Sequence, residues 1–163
     1  MEASVLPLAN LLDLNTRLFR SCLDGIDEEA ARRRPSGGVN HMAFVALHVA
    51  DARWFLARQL GCDVPNPFAA FPELEKARGI DDIVEYPPLD TIRGAWEEMG
   101  SVLASRLSTV SLEELGAKPT HEFPIGDPTV LGMITFLVGH ECHHVGQLGL
   151  LSKYLGRGAM SYK

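Results

Sequence analysis

The run His140-Glu141-Cys142-His143-His144-Val145-Gly146-Gln147 gathers three imidazoles, a carboxylate, a thiol and an amide within eight residues. On a helix each residue advances about 100°, so His140 and His144 stand nearly one above the other and their ring nitrogens can meet a single divalent ion. Met133, Phe136, Leu137, Leu148 and Leu151 fall near the same face, which turns the pair inward, where unpartnered imidazoles are costly. Two ligands make half a site. The third is His48, read on the core-facing side of Ala46-Leu47-His48-Val49-Ala50-Asp51. Three neutral imidazoles from two segments leave coordination positions for water or substrate, as catalytic metal sites do.

The other candidates sort by their angle around the helix. His143 lies about 60° off the pair's direction, which suits a contact with a neighbouring helix or a place on the pocket rim. Gln147, three residues past His144, is either an ordinary buried amide or a group that orients a ligand histidine or a bound water. Cys142 is about 200° around from His140 and faces away. His41, about 10 Å along the helix from His48, cannot share its ion and is the substitute ligand if His48 is not one. His121, beside Glu122, reads as a surface loop residue.

His140 to His144 also match HExxH, in which Glu141 would be the general base of a metallopeptidase. Beyond His144 the chain has no further His, Asp or Glu to supply a downstream ligand. Nor is there an edge strand to hold a peptide extended. Peptidase is therefore the minor reading, and Glu141 is kept as a residue around the pocket.

The segments that must carry these groups are helical. From Ser4 to Leu23, Leu8, Leu11, Leu12, Asn15, Leu18, Phe19 and Cys22 recur at three-and-four spacing. Asp27 caps a short helix over Glu28 to Arg34, closed by Pro35-Ser36-Gly37-Gly38. Asn40 caps a second long helix ending at Gly61, and a third runs from Asp90 to Val110 with Ile92, Trp96, Met99, Leu103 and Leu107 inward. Ser111 and Glu114 have capping-box spacing, and Asp127-Pro128 opens the last helix, which continues to Leu155. Between the second and third long helices, Cys62 to Pro88 is rich in proline and aromatics and reads as a long crossover, which lets those two helices run parallel. The fold class is all-α, a single domain over residues 1–163.

Composition closes off several functions. The chain has 163 residues, 46% hydrophobic and 22% charged, with net charge −6. An acidic balance gives no basic face for nucleic acid or an anionic membrane. No apolar run approaches the roughly 18 residues needed to cross a bilayer. The first residues do not resemble a secretory signal, and three widely spaced cysteines without a CxxC pair fit a reducing cytoplasm.

His140 to Gln147, followed by Leu148 to Gly156, resembles the carboxy-terminal signature of the DinB-like (DinB/YfiT) superfamily, and His48-Val49-Ala50-Asp51-Ala52-Arg53-Trp54 resembles its helix-two motif. The order of elements agrees from the first helix to Gly156. The resemblance implies a four-helix bundle of up-down-down-up topology, zinc or nickel on His48, His140 and His144, and a homodimer, for which the Phe68 to Phe71 crossover offers apolar surface. Relatives include transferases using low-molecular-weight thiols. The expected function is a metal-dependent S-transferase or hydrolase acting on a small molecule. The alternative is a non-catalytic metal-binding bundle. No catalytic acid or base is identified.

Overall fold

The computed structural model describes residues 1–75, 77, 81, 83, 85–158 and 160–162, and among these it contains helices and no strand. α1 spans Leu6–Leu23 with a proline in its first turn and buries Leu12, Asn15, Leu18, Phe19, Cys22 and Leu23. Leu11, read as part of that face, is exposed instead. α2 is a single turn, Glu28–Ala31, where the Asp27 side chain accepts from the Ala30 N–H at 2.8 Å.

α3 spans Met42–Gln59. Its cap is His41 rather than Asn40: His41 Nδ1 accepts from the Phe44 N–H at 3.1 Å, satisfying a donor that the helix itself cannot. This removes His41 from the candidate ligands, since its ring is spent on the backbone. The far end closes on Gly61 at φ +80°, where the Cys62 N–H reaches back to Ala57 O and the Gly61 N–H to Arg58 O, a paired closure that needs a residue without Cβ.

The connection that follows contains a 3₁₀ turn, Pro72–Glu75, and pins itself to the core through Phe68, which is buried and so is not the exposed apolar surface expected of it for a dimer. Residues 76, 78–80, 82 and 84 of the expected crossover lie outside the described residues. α4 spans Leu89–Thr109 and α5 spans Leu112–Gly116, the latter opened by the expected Ser111/Glu114 capping box.

α6, Val130–Tyr154, begins later than expected. Thr129 is its cap, accepting from the Gly132 N–H, while Asp127 accepts from the Thr129 N–H and hydroxyl at 3.0 and 2.7 Å. That turn presses the Asp127 carbonyl onto Gly132 so closely that a Cβ there would sit 2.0 Å from it.

The principal pairings of the four long helices run from α1 to α6, α6 to α3, α3 to α4 and α4 back to α1. Trp96 of α4 is fully buried and stacks on Phe19 of α1, centroids 4.2 Å apart, a contact contributing about 0.5–1.5 kcal/mol beyond area burial. The pairing of α3 with α6 matters most for function, because those two helices carry His48 and the His140/His144 pair.

Candidate metal centre

Across the α3/α6 seam the three rings meet tip to tip. His48 Nε2 lies 3.1 Å from His140 Nε2, and His140 Nε2 lies 3.1 Å from His144 Nε2. All three nitrogens fall within 4.8 Å of one another, a group that could hold a metal ion. His48 is exposed and the other two are half-buried, so the cluster stands at the solvent edge of the seam, not in the core as the surrounding leucines implied. Every other residue from His41 to Ala50 is buried. The helix therefore turns its one exposed position in that stretch to α6.

The chemistry of the donors fits a cation. His144 Nδ1 lies 2.7 Å from Gln147 Oε1. An amide oxygen only accepts, so Nδ1 carries the hydrogen and Nε2 presents a lone pair. Loss of water where the ring nitrogens crowd together, although the His48 side chain as a whole is exposed, and the neighbouring rings, His144 first, push both His48 and His140 down to about 4, and the same desolvation lowers His144. Three neutral rings crowd their Nε2 atoms with too few protons to bridge every pair. A positive ion among the three would relieve that repulsion. For comparison, ligand nitrogens around a tetrahedral zinc with bonds near 2.0–2.1 Å are about 3.3 Å apart.

Two of the rings, His48 and His140, are flanked by a phenylalanine one helical turn before them. Phe44 lies parallel to His48 at 6.1 Å, and Phe136 lies 6.4 Å from His140. The sequence reading places Phe136 on the face of the ligand pair, and the same four-residue spacing puts Phe44 one turn before His48. Asp51, one turn beyond His48, was also missed. It lines a small recess with Phe44 and His48, and it lines a groove of about 510 Å³ running past Trp54, Phe55 and Phe71.

The remaining sequence candidates take separate places. Gln147 is exposed and bridges two rings: Oε1 holds His144, and its amide nitrogen donates to His143 Nε2 at 3.2 Å. His143 is exposed beside the cluster, 5.1 Å from the His144 ring. Cys142 faces α1, where the Asn15 amide donates to its sulfur at 3.2 Å. His121 lies exposed against Phe55. Glu141, kept as a pocket residue, is turned into the core, where Arg53 holds both of its carboxylate oxygens. A carboxylate so engaged is not placed as the free base that HExxH chemistry needs.

The sequence model of the DinB superfamily matches residues 11–148. No match was found among curated proteins. Among solved structures, the crystal structure of a conserved protein from Enterococcus faecalis is similar, with TM-score 0.75 and 13% identity over 95% of this chain and 98% of that one. At that identity the likeness shows the fold alone.

Proposed function

Because this chain belongs to the DinB superfamily, and its α3 and α6 bring three imidazoles to one point, we propose that it holds one divalent metal ion, zinc or nickel, on His48, His140 and His144 and uses it on a small-molecule substrate. The observation that carries the reading is the pair of 3.1 Å Nε2 contacts centred on His140. When bound, such an ion supplies Lewis acidity that lowers the pKa of a coordinated thiol or water to give a nucleophile near neutral pH.

The protein's own groups divide the remaining work. Gln147 fixes the tautomer and tilt of His144 through the Nδ1 hydrogen bond. Phe44 and Phe136 restrict the His48 and His140 rings from either side. His143, reached from His144 through the Gln147 amide, stands exposed at the rim, where it can contact a substrate.

The reaction class that fits is transfer of a low-molecular-weight thiol to an electrophile, or hydrolysis of a small bond, by a cytoplasmic homodimer with its four long helices in up-down-down-up order. The peptidase alternative is disfavoured by the engagement of Glu141 with Arg53. Elemental analysis of protein purified without a histidine tag tests the reading: about one zinc or nickel per chain is expected, falling in His144→Ala. A screen of small thiols against electrophilic acceptors then tests catalysis. Activity indifferent to both chelator and His144→Ala would leave only the non-catalytic metal-binding bundle, and metal-free protein that takes up no ion would end the proposal.

A further inference from the structure

Behind the three rings, on the core side of the same seam, lies a buried ion pair that the proposed chemistry does not use. Arg53 Nε donates to Glu141 Oε2 at 2.9 Å and Nη2 donates to Oε1 at 2.6 Å, with the two side chains 0% and 4% exposed. The other guanidinium hydrogens reach Thr16 Oγ1 at 2.9 Å, Trp96 O at 3.3 Å and Leu12 O at 3.2 Å. All five N–H donors of Arg53 are thereby occupied. One guanidinium on α3 grips α1, α4 and α6 at once, lying 3.3 Å over the Trp96 ring. Gly100 of α4 leaves the room, since a Cβ there would come within 3.1 Å of Arg53 Nη1.

Burying a charge pair is a poor way to gain stability, because desolvation cancels much of the attraction. Its best-attested use is to fix register. A two-pronged Arg–carboxylate fork resists both sliding and rotation, which a greasy seam does not. Arg53 is five residues from His48 and Glu141 adjoins His140, so the fork is fastened to the same two helices as the ligands, a turn or so away. Metal–ligand bonds tolerate only about 0.2 Å of error. A slip of α3 along α6 would carry His48 out of range of the other two rings.

We infer that Arg53 and Glu141 are positioning residues: their buried fork sets the register of α3 on α6 so that His48 meets His140 and His144. This rests on the metal reading above. It assigns the glutamate of the HExxH match to alignment, not to proton transfer.

The test uses full-length protein and Co(II) as the probe, reading affinity by titration, ligand geometry from the visible d–d bands, and metal-free thermal stability by circular dichroism. In Arg53→Met/Glu141→Leu the pair is replaced by apolar groups of similar size, so the metal-free melting temperature should hold or rise. Co(II) affinity should nevertheless fall about 10- to 100-fold, with altered bands. Glu141→Gln, which keeps shape but leaves the Arg53 charge without its counter-ion, should also weaken Co(II) and, unlike the double variant, lower the metal-free melting temperature. Arg53→Lys, which keeps charge but loses the fork, should do the same. The inference is overturned if the double variant, or Glu141→Gln should the double variant not fold, binds Co(II) with wild-type affinity and bands. It is equally overturned if affinity across the set simply tracks melting temperature. Wild-type protein that binds no Co(II) would instead overturn the metal reading, and this inference with it.

Discussion

Replacing His48 by alanine isolates the contribution of the second helix to the ion. In the metal-free protein the side chain is exposed and its polar contact is with His140, while alanine is the better helix former. The metal-free melting temperature should thus move by no more than about 0.5 kcal/mol's worth. An ion that binds only the folded chain stabilises it by RT ln(1 + [L]/Kd), about 2.7 kcal/mol at a hundredfold excess over Kd. At about 2–4 °C per kcal/mol for a domain of this size, wild-type protein should gain about 5–11 °C on adding zinc or nickel. Without His48 only two ligands remain, both on α6. If that weakens binding about a hundredfold, the same metal concentration yields about 0.4 kcal/mol, or one to two degrees.

Calorimetry on chelator-stripped protein, with and without metal, reads all four values. A metal-induced rise as large in His48→Ala as in wild type refutes the geometry, because it removes His48 from the ion. His41→Ala is the control: the lost helix cap should cost about 0.5–2 kcal/mol with and without metal alike, and the metal-induced rise should persist.

Three further outcomes follow from single contacts. Gln147→Leu frees the His144 ring and should weaken metal about 10- to 100-fold in competition with a chromophoric chelator, with little change in melting temperature because Gln147 is exposed. Gly132→Ala drives a Cβ against the Asp127 carbonyl and should lower stability by about 1–3 kcal/mol despite alanine's higher helix propensity; a raised melting temperature contradicts the packing. In metal-free protein, His48 and His140 stay neutral down to about 4, whereas in the unfolded chain they protonate near 6.5. Stability from these rings is therefore complete above pH 6.5 and lost as pH falls toward 4, and a melting temperature flat across that interval in wild type would count against the crowded cluster.

What could be read from sequence and what could not divides along the range of the interactions. The helices were legible because their signals are local: the Ser111/Glu114 box and the glycine that closes α3 at Gly61 act within a few residues. The caps of α3 and α6 were misplaced by one or two residues. An imidazole at His41 adjoins Asn40, and Thr129 lies two residues past Asp127, so two good acceptors lie within two residues of each other in each case. The His140/His144 pair followed from helix geometry alone. His48 needed a second helix, and it is pointed to by its expected core-facing place on that helix and by the family-like motif around it. Its exposure was misjudged, because a face between two helices can be polar at its outer edge and apolar one residue further in.

Glu141 shows why a spacing motif does not fix a mechanism. Helix geometry guarantees that a residue next to a ligand histidine points about 100° away from it, and what lies in that direction is decided by the partner helix. Where the neighbour leaves the carboxylate free beside an ion, it can take a proton from water. Here the neighbour is α3, which offers a guanidinium with every donor engaged, so the same glutamate becomes a strut. The sequence signal that separates the two cases is Arg53 itself, a cation set among the buried positions of α3, because a charge placed there requires a counter-ion across the seam.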